Sequence, residues 1–319
     1  MSYAKIVERR RATREEWLTC WEACDYATYF QSPMWGEVWE AYSQGVIKSN
    51  ADLIRLDNGA QYIVPFGEVF SFKGALRHTH MSQAGTYGGV IAENSSPDSE
   101  VMNHIISVYD NVTLRGNPYL PLELDLSKKN DVSQVIDLKE LTDDIKERWS
   151  TSHKRSLKKA IKSNVNIELA TTEQQWDEYF EIYLKSLERW SDKATIAYRR
   201  NLFSLLKSQE NLSLWVAIID KKIVGGAIML YSKRNVIYWH GASDQEYYDK
   251  RPIHLLFYQM IADAKHRNLS YFDFNPSGGI EGVERFKSGF GATYMDAPIW
   301  EKESMKSRIL GKFRSFFFK

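Results

Sequence analysis

Residues 212–275 read LSLWVAIIDKKIVGGAIMLYSKRNVIYWHGASDQEYYDKRPIHLLFYQMIADAKHRNLSYFDFN, and the order of elements within them decides the fold. Three runs, 212–219, 222–232 and 236–243, are rich in β-branched and aromatic residues, and Asp220-Lys221 supplies the first hairpin turn. A helical pattern over 252–267 follows, and YFDFN (271–275) is again a strand. Upstream, LTDDIKERWSTSHKRSLKKAIKS (141–163) spells one long basic helix or two shorter ones, and VNIELA (165–170) a strand. TTEQQWDEYFEIYLKSLERW opens on a Thr cap and sets Trp176, Tyr179, Phe180, Tyr183 and Leu187 on one helical stripe. With a helix over 195–208, a short one near 281–289 and a last strand near 292–300, the order is β-α-α-β-β-β-α-β-α-β.

The first half runs a similar course. Ser32-Pro33 opens a helix carrying Met34, Trp35, Val38, Trp39 and Tyr42. ADLIRLDNGAQYIVPF (51–66) is a hairpin about Asp57-Asn58-Gly59, with further strand-like runs at 68–72 and 86–92 and a helix over 98–110. No residue-level repeat links the halves, so the duplication is one of structure. The expected class is α/β (α+β): two tandem domains, 1–140 and 141–300, each a mixed, mostly antiparallel sheet flanked by helices, then a basic amphipathic tail over 301–319.

The chain has 319 residues, 43% hydrophobic and 26% charged, a composition that buries a core and excludes a disordered scaffold. Its 42 Lys+Arg against 41 Asp+Glu leave +1, which excludes coating a polyanion through bulk charge. The sum conceals a split. Residues 1–145 hold 13 Lys+Arg and 21 Asp+Glu, a net of −8, and residues 146–319 hold 29 and 20, a net of +9. Cys20 and Cys24 lie four apart on one helix, a spacing that suits two small buried residues better than a disulfide. No apolar stretch is long enough to span a membrane, and MSYAKIVERRRATREEW lacks the apolar core of a secretory signal, so the expected compartment is the cytoplasm.

YFQSPMWGEVW (29–39), Tyr87-Gly88-Gly89, HKRSLKKAIKSNVNIE (153–168), WHGAS (239–243), RPIHLLFYQMIADAKHRNLSYFDFN (251–275) and GVERFKSGFGA (282–292) occur in an order that resembles the FemAB-like proteins. These carry two domains of the Gcn5-related N-acetyltransferase (GNAT) fold, and the resemblance covers residues 3–300. It implies acyl transfer to an amine, commonly on a cell-envelope precursor, with aminoacyl-tRNA or acyl-CoA as co-substrate and no permanently bound cofactor. Two departures matter. The stretch YYDKRPIHLL (247–256), where GNAT enzymes place a glycine-rich turn that cradles the pyrophosphate of CoA, has no glycine and offers Lys250 and Arg251 instead. The heptad arm of some cross-bridge transferases is also absent from the sequence.

Acyl transfer needs a deprotonated amine, donors for the tetrahedral oxyanion and a proton route to the leaving group. No nucleophile elbow or reactive cysteine context is evident, so direct attack by the acceptor amine is the simpler chemistry. Lys287, after a short helix and before two glycines, is the first catalytic candidate, and the resemblance points to the same lysine. Its cation either neutralises an oxyanion or grips a phosphate. Asp273 and Asn275 share a strand face; Asp273 either handles the acceptor amine or caps a loop and holds the strand end. Alternation also puts Tyr238 and His240 on one face with Trp239 on the other, and makes His240 either a proton relay or a structural histidine of the strand. Trp35, Tyr87 and Gly88 are candidates for lining the acceptor site, with core packing the alternative for Trp35. His78 and His80 lack a third ligand, so no metal is expected.

Lys154, Arg155, Lys158, Lys159 and Lys162 line a helix that is either a solvated face or a phosphate clamp for tRNA or a diphosphate-linked acceptor. In KESMKSRILGKFRSFFFK (302–319), Met305, Ile309, Phe313 and Phe316 recur among basic residues, as in a helix lying on an anionic membrane surface or a tail that docks its Phe residues on its own domain or a second subunit. The expected partners are therefore an amine-bearing envelope precursor, nucleotide- or lipid-linked, tRNA, and the inner face of the membrane.

Overall fold

Two seven-stranded sheets organise the computed structural model, which describes residues 4–71, 74, 76–190, 196–304 and 307. They belong to two compact units, Met1–Val132 with Asp296–Lys319, and Ser133–Met295.

In the first unit the strands are β1 (Ile6–Arg11), β2 (Lys48–Leu56), β3 (Gln61–Ser71), β4 (Leu76–His80), β5 (Val112–Arg115), β6 (Ser127–Lys129) and, late in the chain, β14 (Ile299–Lys302), in the order β1-β2-β3-β4-β5-β14-β6. Helices α1 (Arg14–Ala23), α2 (Pro33–Tyr42) and α3 (Ser99–Ser107) accompany them. The expected hairpin is β2–β3, paired from Lys48 with Glu68 to Arg55 with Gln61, and Gly59 takes the left-handed turn position at φ 86°. The run 86–92, expected as a strand, makes isolated bridges, Ile63 to Ile91 and Tyr87 to Arg115, on either side of Gly88 and Gly89.

The motifs YFQS and YGG form a packing joint. The buried Gln31 amide donates to the carbonyls of Gly88 (3.3 Å) and Gly89 (3.1 Å). Its own carbonyl accepts the Thr28 N–H at 3.0 Å. Ser32 caps α2 by accepting the Trp35 N–H at 3.1 Å, with Pro33 at the first helical position. Trp35 then packs against Tyr29, Phe30 and Trp39, and Phe30 against Tyr87. A Cβ on Gly88 would lie 1.7 Å from the Met81 carbonyl oxygen, so only glycine fits.

The second unit has β7 (Val132–Asp137), β8 (Asn166–Leu169), β9 (Leu212–Ile219), β10 (Lys222–Tyr231), β11 (Asn235–Ser243), β12 (Tyr271–Asp273) and β13 (Thr293–Asp296), in the order β13-β7-β12-β11-β10-β9-β8. Its helices are α4 (Thr151–Lys162), α5 (Glu173–Trp190), α6 (Arg200–Lys207), α7 (Pro252–His266) and α8 (Glu281–Ser288). Asp220 (φ 49°) and Lys221 (φ 63°) are both left-handed, which matches the twist of a tight hairpin between β9 and β10. α4 and α7 cover one face over Leu157, Ala160, Phe257, Met260, Phe272 and Phe290. α5 and α6 cover the other. Gly226 marks the division, since a Cβ there would strike the Tyr179 ring while the next residue, Ala227, packs into the α7 core.

A bulge in β11 overturns one expectation. Ile228 pairs with His240 and Met229 with Tyr238, leaving Trp239 as an extra residue. The inserted residue reverses the alternation, so Tyr238 meets Phe257 of α7 while His240 faces Tyr179 of α5. They do not share a face.

The observed units also divide differently from 1–140 and 141–300. β7 pairs with β12, so the second unit starts at Ser133, and β14 pairs with β5 and β6, so the chain returns to the first sheet after Met295. Lys302, within the expected tail, donates to the carbonyls of Ile106, Ser107 and Tyr109 at the end of α3 (3.2, 2.8 and 2.7 Å). The rest of the tail motif, from Met305 on, lies outside the described residues apart from Ser307. The basic helix is shorter than 141–163 and begins after Ser150, whose hydroxyl accepts the His153 N–H at 3.2 Å.

Replacing Gln31 by Leu should remove the amide that satisfies the Gly88 and Gly89 carbonyls and cost about 1–3 kcal/mol, read as a lower urea midpoint with an unchanged m-value.

Candidate functional site

The parallel ladder of β11 with β12 has three pairs, Asn235–Tyr271, Val236–Phe272 and Ile237–Asp273. Beyond it β11 continues to Ser243, but the other chain turns aside. Phe274 N–H bonds the Gln134 carbonyl (2.9 Å), and Asn275 is left-handed at φ 62°. A cavity of about 390 Å³ opens in this unit, lined by Gly226, Tyr238 and Gly241 of the sheet, Arg251–His254 at the start of α7, Phe286 and Lys287 of α8, and Arg189 and Trp190 at the end of α5.

Its charge is one-sided. Arg189, Arg251 and Lys287 line it, and no carboxylate does among the described residues. Arg189 stacks over the rings of Trp190 (5.9 Å) and Tyr248 (5.3 Å). Arg251 caps α7 with φ 61°, so it occupies the left-handed turn position that glycine would favour, and Pro252 follows as the first helical residue. This is how the glycine-free stretch 247–256 makes its turn. Lys250 instead pairs with Asp249 at 3.3 Å and is not among the lining residues.

Lys287 is 4% exposed and donates from Nζ to the Asn275 carbonyl at 2.6 Å. Asp273 is fully buried; its Oδ1 accepts the Ser133 hydroxyl and the Asn275 N–H, each at 2.7 Å. Of its two expected roles, these bonds match the one that holds the strand end. Tyr238 extends along β11 so that its hydroxyl overlies Gly241, where any Cβ would be 2.0 Å away. Burial pushes the Tyr238 phenol up to about 12, which keeps it a donor at neutral pH.

His240 is not among the lining residues. Its Nδ1 is 2.6 Å from the Tyr179 hydroxyl, and Tyr183, Phe203 and Trp239 surround the ring. This desolvation pushes its pKa down to about 3, so the imidazole is neutral at pH 7. The relay role has no support in this placement. His254, which the sequence reading passed over along with Arg189 and Trp190, does line the cavity, with its pKa pushed down to about 4 by burial and by neighbouring His153 and Arg251. Nothing in their spacing marks these three; they converge only when α5, α7 and α8 meet.

α4 is tied to α8. Ser150 N–H bonds the Gly289 carbonyl (2.9 Å), and His153 Nε2 lies 3.0 Å from the Phe286 carbonyl. That bond requires a proton on Nε2, leaving Nδ1 to accept from the Ser150 hydroxyl at 3.1 Å. Lys154 donates to the Glu147 carbonyl (2.8 Å), whereas Arg155, Lys158, Lys159 and Lys162 are exposed and make no ion pair among the described residues. The first-unit candidates are placed differently. Trp35 and Tyr87 are fully buried in the joint around Gln31 and, with Gly88, present no surface to a substrate. Among the described residues no three His, Cys, Asp or Glu side chains come together as a metal site.

Residues 148–288 match the family model described as the acetyltransferase (GNAT) domain. The chain is similar in structure to FemX, with a TM-score of 0.72 and 11% identity over 96% of this chain and 99% of that one. It is also similar to the C-terminal domain of a putative lysylphosphatidylglycerol synthetase from Agrobacterium fabrum (TM-score 0.52, 9% identity, 83% and 88% covered). A tandem GNAT protein from the clavulanic acid biosynthesis pathway gives 0.50 at 7% identity, with 93% and 98% covered. No curated protein sequence matches. The tandem GNAT-type architecture expected from the sequence is the one observed.

The depressed histidines set a pH dependence. The unfolded imidazole titrates near 6.5, and folding holds His240 and His254 neutral down to about 3 and about 4. The unfolded chain therefore binds more protons below pH 6.5, and stability should be full above that pH and fall steadily as the pH drops toward 3. Melting temperatures from pH 8 to 4 should show this decline, and His240→Gln should make it shallower.

Proposed function

We propose that this chain, an acyltransferase of the GNAT fold with FemAB-like tandem architecture, moves an aminoacyl group from tRNA to an amine on a cell-envelope glycan or peptidoglycan precursor. The observation that carries the reading is electrostatic. Among the described residues, a cavity with three cations and no carboxylate lies in the unit whose helix α4, fastened to α8, presents four exposed cations without ion pairs. Such a cavity suits the phosphate-bearing end of a carrier, and the helix face suits the polyanion behind it. The likeness in fold to FemX and to a protein named a lysylphosphatidylglycerol synthetase supports the same reading.

In the proposed chemistry the acceptor amine attacks the ester carbonyl and a C–N bond forms. The ester C–O bond then breaks, and the ribose oxygen leaves with the proton that the amine gives up. Lys287, its ammonium directed by the Asn275 carbonyl, stabilises the oxyanion of the tetrahedral intermediate. Tyr238 supplies a neutral hydroxyl donor in the same cavity. Arg189 and Arg251 hold phosphate at the mouth. A second reading, acyl-CoA as donor, is favoured by the start of the fifteen-residue helix α7 at the cavity, the positive end of whose dipole attracts a pyrophosphate. The acceptor places the work at the inner face of the membrane; no helix among the described residues is long and apolar enough to cross one.

Incubation with radiolabelled aminoacyl-tRNA or acyl-CoA and an amine-bearing envelope precursor tests the choice: label should pass from tRNA and not from CoA, and the reverse result would replace the first reading by the second. Lys287→Ala should lower kcat by roughly 10²-fold in protein that circular dichroism shows to be folded. Reversing Arg155, Lys158, Lys159 and Lys162 to Glu together should weaken tRNA binding more than about tenfold and flatten its salt dependence, measured by filter binding between 50 and 200 mM salt, roughly the range over which phosphate contacts are lost.

A further inference from the structure

Asp273 and Ser133 are wholly buried and do not line the cavity, yet a short chain of bonds joins them to the lysine that does. Ser133 Oγ donates to Asp273 Oδ1 (2.7 Å), and the same oxygen accepts the Asn275 N–H (2.7 Å). The Asn275 carbonyl then accepts Lys287 Nζ (2.6 Å). A side-chain oxygen that takes the N–H two residues on closes a local turn, and asparagine is the residue after glycine that best tolerates the left-handed conformation Asn275 adopts at φ 62°. The carboxylate thus holds the backbone in the one turn that points the Asn275 carbonyl at α8. It acts together with the asparagine itself and with the Phe274 N–H bond to the Gln134 carbonyl, which turns the chain away from β11.

We infer that Asp273 is a positioning residue for Lys287, acting through the Asn275 backbone, with Ser133 as the fixed anchor of its carboxylate. The direction of the Lys287 ammonium is set from behind the cavity wall, by a hydrogen-bonded turn in β12's exit. For its catalytic consequence the inference rests on the proposed role of Lys287, but the relay itself is testable without any substrate.

The test is trace labelling of the full chain with acetic anhydride from pH 7 to 10, with the rate at each lysine read by peptide mass spectrometry. In the unaltered protein Lys287 should react far more slowly than the exposed Lys158 and Lys159. Ser133→Ala and Asp273→Ala should speed Lys287 by about tenfold or more, the loss expected for one buried hydrogen bond to a charged group. Lys158 and Lys159 should keep their rates, which a general loosening of the unit would not allow. Asp273→Asn keeps an oxygen acceptor for both donors and should leave Lys287 within about twofold of the unaltered rate, as a hydrogen-bonded turn requires. Circular dichroism establishes which variants are folded; should Asp273→Ala fail to fold, Ser133→Ala, which changes one hydroxyl, decides. Unchanged Lys287 labelling in the folded Ser133→Ala and Asp273→Ala proteins would overturn the relay. So would an Asp273→Asn protein that labels as fast as Asp273→Ala, because charge and not the turn would then be at work. Inorganic pyrophosphate serves as a separate probe: it should protect Lys287 in the unaltered protein. Absence of protection alongside the expected variant rates would count against the proposed function and not against the relay.

Discussion

Two parallel strands that pair for only three residues govern the second unit. Past Ile237 and Asp273 the backbone groups of β11 and of the departing chain no longer serve each other, and each must find partners elsewhere. Phe274 turns to Gln134, Asn275 to Asp273 and Lys287. The gap lies outside the carboxyl ends of the parallel pair, where open α/β sheets hold their ligands. Into it come the start of α7 and the end of α8, and with them the cations.

Three departures from regular backbone geometry cluster around that gap: the bulge at Trp239, the left-handed Arg251 and the left-handed Asn275. Each re-aims a side chain or a carbonyl that regular geometry would send elsewhere. Strained or irregular residues persist where surrounding structure over-determines them, and such positions concentrate at functional sites. Here the surrounding structure is named: Pro252 and α7 behind Arg251, Asp273 and Ser133 behind Asn275, and the aromatic cage of α5 behind His240.

The regular parts of the molecule are written plainly in its residues. The left-handed turns at Gly59 and at Asp220-Lys221, the aromatic stripe of α5 and the short helix before the glycines of GVERFKSGFGA all appear where the periodicity puts them. Lys287 is legible from its neighbours, and it lines the cavity. What alternation could not reveal is one inserted residue: the bulged Trp239 is neither glycine nor proline and the strand's glycine, Gly241, lies two residues on, so Tyr238 and His240 separate where a period of two keeps them together. The YFQS and YGG motifs are visible as motifs, but what joins them is the buried Gln31 side chain reaching across 57 positions, which spacing cannot show. Asp273 shows the same limit. An aspartate in an aromatic strand needs a partner, and only the fold says that the partners are a serine 140 positions away and its own next turn.

The return of β14 to the first sheet has a consequence for the order of assembly. β14 sits between β5 and β6, with Trp300 opposite Leu114 on one side and Lys128 on the other. Nearly all of the second unit is continuous between Ser133 and Met295, so it can close as soon as it leaves the ribosome. The first unit cannot. At roughly 5–20 residues per second, β5 waits roughly ten to forty seconds with an open hydrogen-bonding edge before its neighbour is made. The unit that begins the chain is therefore the last to be finished, and during synthesis its most exposed liability is the edge that four late residues, Ile299–Lys302, come back to seal.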